Sequence, residues 1–320
     1  MSNTRRPLRG RQAAIAIAFA GPWLLGLATL VVYPFCASLY WSFCRYDLLR
    51  PPEWIGLDNY RRLAGELVRG DGFGQALFNT LYFALVSVPL SVALGVGVAV
   101  LLAGNRRGRA FFRTLFFLPS VVPLVAASIL WLWLLDPQEG LINAFLGQLG
   151  ITGPDWFKSP NVALLPPAWL SGTWGIGSKD ALTLMSLWGV GNFMVIYLAA
   201  LTDVPHELYE AAELDGATPW QRFLNVTLPM LSPVIVFNVV LGLINAVQAF
   251  TQVYIVSDGQ GEPLGSLRML SVHLFLSAFK QLDMGYTSAA AWVLFVIIVV
   301  VTVLLFRSSR RWVHYAGATR

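Results

Sequence analysis

Charged side chains are sparse along this chain, and the gaps between them set the first structural expectation. Stretches without Lys, Arg, Asp, Glu or His cover 12–44, 72–105, 114–135, 181–202, 223–257 and 284–306. Each reaches about the 20 residues that an α-helix needs to cross a hydrocarbon core, so the pattern predicts an all-α membrane protein with six transmembrane helices. Two further uncharged stretches do not fit. Residues 140–154 are too few, and 159–178 carries Pro160, Pro166, Pro167, Gly172, Gly175 and Gly177, too many breakers for a lipid-facing helix. Both are read as external loop, with Trp156, Trp169 and Trp174 resting at the membrane surface.

Composition agrees. Apolar residues make up 56% of the 320 and charged residues 12%, about half the charged share of a soluble protein. So few charges cannot clothe a soluble particle of this size. A net charge of +5 and two cysteines also exclude a nucleic-acid-binding arm and a disulfide scaffold. Cys36 and Cys44 share one apolar run, about 12 Å apart along a helix, too far for a bridge. That run follows Arg5, Arg6, Arg9 and Arg11, as a secretory signal would. It continues through Trp41, and is read as a retained first transmembrane helix rather than a cleaved leader.

Lys and Arg placement orients the chain. With the amino terminus inside, segments 1–11, 106–113, 203–222 and 307–320 are cytoplasmic and hold 13 of the 22 Lys and Arg, including Arg106, Arg107, Arg109 and Arg113. Both termini are then cytoplasmic tails (1–11 and 307–320), 12–44 is the first span, 45–71 an external loop, and 72–306 a core of five spans.

One internal segment breaks the pattern. Residues 203–223 carry five carboxylates against one arginine. Pro205 followed by Glu207, Glu210 and Glu213 reads as a helix start with acids in its first turns. Gly216 ends that helix, and Thr218-Pro219 opens a second short one to Thr227. Its apolar residues, among them Leu208, Leu214, Trp220 and Phe223, either pack on the protein's own bundle or fill a pocket on a partner.

At this point the sequence resembles a known family. Glu210-Ala211-Ala212, three residues, Gly216, nine residues, Val226, one residue, then Leu228-Pro229 is similar to the signature of permease subunits in binding-protein-dependent ABC importers. Trp54 to Tyr60, Asn79-Thr80, Phe111 to Pro119 and Gly285-Tyr286 look like the carbohydrate branch, the maltose- and glycerol-3-phosphate-type first permease. Departures fall at Leu165 to Asp180 and at Asp258 to Pro263, in segments that would face the binding protein. The resemblance implies a type I importer transmembrane domain in a bacterial or archaeal plasma membrane. It also implies partners: a second permease subunit, a homodimeric ABC ATPase holding ATP and Mg, and an extracytoplasmic substrate-binding protein. The coupling segment, 203–228, would seat Glu210, Ala211, Ala212, Gly216, Leu228 and Pro229 at the ATPase. Glu210 would face a basic residue there, with Glu213 on the exposed side.

The residues themselves allow this. No Gly-x-x-x-x-Gly-Lys-Ser/Thr loop occurs, so the chain has no phosphate-cradling loop of its own and is not expected to be an enzyme. No cofactor, metal or nucleic-acid site is expected in the chain, whose other contact is membrane lipid. His206-Glu207 with Glu210 is half of a zinc-protease motif without its second histidine, and His273 is read as a solvated residue of a short external helix, 269–279. A self-contained secondary carrier is the alternative, opposed by the lack of ionisable groups in the six stretches. A membrane-embedded enzyme is a third reading, with no nucleophile-base pair in the spans. The absence of Lys or Arg at membrane depth leans against a phosphate-bearing cargo.

Cargo contacts should be uncharged polar groups on inward faces. Asn238, Asn245, Gln248 and Gln252 fall within about 80° on a wheel of 100° per residue. Amides both donate and accept, as sugar hydroxyls require, although the same stripe suits interhelical hydrogen bonding. Ser186, Gly189, Asn192 and Phe193, with Trp188 nearby, form a second face, where the resemblance implies part of a midplane sugar site. Pro89, Pro119, Pro123, Pro229 and Pro233 are positioned to kink their helices.

Overall fold

The structure, a computed structural model, describes residues 10–104, 107–161 and 175–309. Arg5, Arg6, Arg9, Arg106, Pro166, Pro167, Trp169, Gly172, Trp174, Arg310, Arg311 and Arg320 lie outside them, as does most of the departure at 165–180. By contacts the chain divides into two units, one of the chain up to Arg62 with Ser277–Trp292, the other of Leu63–Leu276 with the chain from Val293 onward.

The elements in order are α1 (Gly10–Leu27), α2 (Tyr33–Ser42), a two-residue antiparallel pair β1 (Cys44–Arg45) and β2 (Glu53–Trp54), α3 (Asp58–Arg69), α4 (Gly72–Ala103), α5 (Arg109–Phe117) and α6 (Leu124–Leu134). There follow α7 (Leu141–Gln148), α8 (Ser178–Trp188), α9 (Gly191–Thr202), α10 (His206–Leu214), α11 (Pro219–Arg222), α12 (Leu228–Val247), α13 (Thr251–Val256), α14 (Leu270–Phe275) and α15 (Met284–Ser309). A π turn at Ala28–Val32 joins α1 to α2. Among the described residues Ile17–Ser42, Gly72–Ala103, Pro219–Val247 and Met284–Ser309 are each long and apolar enough to cross a membrane. Two bent pairs, Arg109–Val121 with Leu124–Leu134 (100°) and Ser178–Trp188 with Gly191–Thr202 (46°), raise the spans to six if each pair is one.

The bend in 114–135 falls where Pro119 and Pro123 are positioned to kink a helix, whereas the bend in 181–202 has no such signal in the sequence. Between α5 and α6 a 3₁₀ turn at Leu118–Val121 carries Pro119, and Val122 is extended (φ −70°, ψ 128°) because Pro123 follows it. The α8–α9 break has no proline. There the Gly189 and Val190 amides reach back three residues to Ser186 and Leu187 (3.3 and 3.1 Å), which tightens and ends the helix.

The fifth span also differs from 223–257. Its second short helix does not stop at Thr227: α11 runs through a π turn, Phe223–Thr227, into α12. The Leu228 amide donates five residues back to Phe223, a widened turn just ahead of Pro229, which has no N–H to offer. The helix then ends at Val247, with Gln248 at φ −94°, ψ 8°, so Gln252 lies on the separate α13.

Three loop assignments change as well. Part of 140–154 is helical, as α7. Trp156 is buried and donates from Nε1 to Asn143 Oδ1 (2.7 Å), so it does not rest on a membrane surface. His273 is buried with its ring edge-on to Phe73, 6.5 Å between centroids, rather than solvated.

In the first unit the Trp54–Tyr60 stretch ties the loop after α2 to the end of that helix. Asn59 Nδ2 donates to Ser42 O (3.0 Å) and Cys44 O (2.9 Å), and Tyr60 Oη donates to Ser42 Oγ (2.8 Å). The core of the second unit is α4, which packs on α8, α9, α12 and α14. Small residues let these helices close: a Cβ on Gly95 would lie 2.8 Å from Phe193 Cβ, and one on Gly242 3.0 Å from Val88. Gly97, on the same helix, faces open space. Gly95→Val is therefore expected to destabilise the protein by about 1–3 kcal/mol, as overpacking typically does. Gly97→Val should leave the thermal unfolding of the detergent-solubilised protein unchanged.

Candidate functional site

The segment from Asp203 to Thr227 is built as a stiff, exposed corner. Pro205 sets the entry to α10, and after Leu214 the chain reverses at Gly216 (φ +75°), where a β-branched residue would be strained. Around it Gly216 N donates to Glu213 O (3.0 Å) and Ala217 N to Ala212 O (2.9 Å), which satisfies two helix-end carbonyls. Thr218 then caps α11: its Oγ1 accepts from Gln221 N (3.3 Å), and Gln221 Oε1 accepts from Thr218 N (2.7 Å).

Side chains lock the two arms. Glu213 pairs with Arg222 across the corner, and Tyr209 Oη lies 3.0 Å from Thr227 Oγ1. Glu213 is on the exposed side, as expected, and there has a partner inside the segment. Among the described residues Glu210 meets only His206, one turn back on its own helix (3.1 Å). Apolar residues are left in the open: Leu214 is 90% and Trp220 65% exposed, the latter stacked on Phe223 at 5.4 Å. Of the two fates open to these side chains, packing on the protein's own bundle is not what Leu214 and Trp220 do. Ala211 is exposed, and Ala212, Leu228 and Pro229 are half-buried.

The polar positions expected to meet cargo are scattered. Asn238 is buried near the buried Tyr197, and among the described residues neither its Nδ2 nor the Tyr197 hydroxyl makes a hydrogen bond of good geometry. Asn245 and Gln248 are exposed, and Gln252 is half-buried beyond the helix end. A wheel projects out depth, which is why one stripe divides in this way. Ser186 Oγ turns back to Thr183 O (2.7 Å), Gly189 sits in the α8–α9 bend, and Asn192 is exposed. Phe193 fills the space between Gly95 and Gly242. Trp188 meets Trp131 edge-on (6.1 Å) and lines an apolar cavity of about 450 Å³ with Leu94, Phe116, Pro119 and Val190.

A buried polar junction escaped the sequence reading. Lys179 is fully buried, its Nζ donating to Asn79 Oδ1 and Ser266 O (both 3.3 Å), with no ion-pair partner among the described residues. Asn79 Nδ2 donates to Gly265 O (2.8 Å) and Arg268 O (3.1 Å), Thr80 Oγ1 accepts from Leu270 N (2.8 Å), and Ser178 Oγ lies 2.6 Å from Ser266 Oγ. Asn79-Thr80 thus fastens 264–270 onto α4. Lys179 lies on α8, inside a bent pair that qualifies as a span, so the spans do hold a basic residue and do not count against a phosphate-bearing cargo. The uncharged stretch begins at residue 181, three residues inside α8. The junction's only signal was a lone Lys beside an acid, indistinguishable from a surface pair.

Residues 71–314 match the model of the family described as binding-protein-dependent transport system inner membrane component. The chain belongs to that family. Among similar members, the probable ABC transporter permease protein YesP of Bacillus subtilis (strain 168) is 40% identical, covering 93% of this chain and 91% of YesP. The sulfoquinovosyl glycerol transport system permease protein SmoG of Agrobacterium fabrum is 31% identical, over 92% and 90%. The fold matches a chain of a bacterial alginate ABC transporter, solved in complex with an alginate pentasaccharide-bound periplasmic protein, with TM-score 0.76 and 20% identity over 94% of this chain and 96% of that one. The chain is a multi-pass membrane permease subunit of type I importer fold, not itself an enzyme, and it works with an ATPase and a substrate-binding protein.

The junction at Lys179 gives a test of its own. Asn79→Leu removes the amide that accepts from a buried ammonium and is expected to cost about 1–3 kcal/mol. Asn79→Leu with Lys179→Met should cost less than the two single changes summed, measured by thermal unfolding of the purified protein.

Proposed function

We propose that the chain is a six-span permease subunit, both termini cytoplasmic, of an importer that moves a sugar, oligosaccharide or related polyol across a bacterial or archaeal plasma membrane. It pairs with a second permease subunit, receives cargo from an extracytoplasmic binding protein, and is driven by a homodimeric ATPase that holds ATP and Mg. The cargo class follows the relatives: SmoG is a permease for sulfoquinovosyl glycerol, and the structural neighbour belongs to an alginate transporter. Exposed amides at Asn245 and Gln248 suit such hydroxyl-rich cargo at an interface with the second permease.

One observation carries the reading: a rigid corner with Leu214 and Trp220 held in the open and a carboxylate, Glu210, one turn before Leu214 on α10. Apolar side chains presented this way fill a pocket on another protein. Because the corner is already folded, docking needs little ordering of the chain. Glu210 and Glu213 then play different parts, one facing the ATPase and the other holding the corner shut.

Their lesions separate. An interfacial carboxylate paired with a cation costs about 2–5 kcal/mol when one partner is removed. Glu210→Lys is expected to release the ATPase on purification and to abolish substrate-stimulated hydrolysis. Glu213→Lys should weaken retention by opening the corner, and Arg222→Glu in the same chain should restore it. ATPase retained at the wild-type level by Glu210→Lys, with transport intact, would sink the assignment.

A further inference from the structure

Between Gly72 and Leu135 the chain carries Arg106, Arg107, Arg109 and Arg113 and no Asp or Glu. None of the three arginines described there makes an ion pair. Arg109 Nη1 reaches Gly104 O at 3.5 Å, Arg113 Nη2 donates to Leu102 O at 2.9 Å, and Arg113 Nε is buried without a partner. The end of α4 and the start of α5 enclose a groove of about 260 Å³, its wall made by Val98, Leu101, Leu102, Phe112 and Phe116 and completed by Arg107 and Arg109. Leu101 is 64% exposed in it. The first turn of α5 has neither an acidic residue nor a side-chain cap, so its free N–H groups add to the positive end.

We propose that this groove is a binding site for one anionic phospholipid. The headgroup phosphate sits on Arg107 and Arg109, and an acyl chain lies along Val98, Leu101, Phe112 and Phe116. Charge complementarity selects the occupant: a zwitterionic headgroup would bring its ammonium to a groove whose lining holds two guanidinium groups and no carboxylate. Depth selects it too, because the arginines begin where the apolar run of α4 ends, the level at which phosphates lie. The inference needs only that α4 crosses the bilayer. It stands apart from the assignment of 203–228.

The test is native mass spectrometry of the purified complex containing this chain, titrated with dioleoyl phosphatidylglycerol, with dioleoyl phosphatidylcholine and inorganic phosphate as comparators. Wild type should retain phosphatidylglycerol against millimolar phosphate. Arg107→Gln with Arg109→Gln should weaken phosphatidylglycerol binding roughly 30-fold, at about one kcal/mol per cation, and leave phosphatidylcholine binding unchanged. Leu101→Trp, which fills the groove and keeps both arginines, should also lose the lipid. If the double variant does not assemble, Arg107→Gln alone should weaken binding about fivefold. Unchanged phosphatidylglycerol binding in any variant that assembles would overturn the site, as would displacement by inorganic phosphate or equal loss of phosphatidylcholine. Dissociation of a second permease subunit by Leu101→Trp would also overturn it, since the groove would then belong to a protein neighbour.

Discussion

Backbone amides in hydrocarbon find no water, so a chain that crosses a membrane must either stay helical or break where its own groups close the gap. The departures from regular helix in this protein follow that rule. Ahead of Pro229 the ladder widens, and Leu228 bonds Phe223 instead of stopping. At Gly189 it tightens to bonds three residues back. Around Pro119 and Pro123 the chain turns through 100° by a 3₁₀ turn and one extended residue. These breaks surround α4, which stays helical through Pro89 and supplies the face on which α8, α9, α12 and α14 pack. With no hydrophobic drive between helices in lipid, closeness must come from small residues, and Gly95 and Gly242 admit the Phe193 ring between helices.

In water the constraint is reversed, and the corner at Asp203–Thr227 violates it in the open. Leu214 and Trp220 gain nothing from exposure, and the fold holds them there with a left-handed glycine, a reciprocal cap and an ion pair between arms. Rigid presentation of apolar surface makes sense when the pocket for it is on another molecule. The same stiffness lets a push on the corner pass into α12, because α11, the π turn and α12 form one continuous helix. Force delivered at Leu214 would otherwise be lost in a flexible loop.

Much of this was legible in the sequence, and the reasons for the rest are specific. Long charge-free runs mark spans because Asp, Glu, Lys and Arg are costly in lipid. Pro205, Gly216 and Thr218-Pro219 marked the corner because each dictates backbone shape locally. A kink at Pro119–Pro123 was legible but its angle was not, and the break at Gly189 carried no signal, because those residues permit a bend whose size packing decides. The amide stripe divided because periodicity gives direction around an axis and not height along it, so Asn238 is covered while Asn245 is bare. The Glu213–Arg222 pair spans nine residues and needs the turn geometry before it can be seen. Lys179 was missed because its partners, Asn79 and Ser266, come from distant parts of the chain.

Residues 203–228 are the surface proposed to meet the ATPase. A single cysteine at position 214, introduced as Leu214→Cys after Cys36→Ser and Cys44→Ala, can be joined by a short thiol-to-amine cross-linker to whatever lies against it in the assembled, transport-competent complex. The account predicts a covalent product between this chain and the ATPase subunit, suppressed when Trp220→Asp weakens docking. A complex that imports normally while position 214 reacts with the linker and captures no ATPase would contradict it.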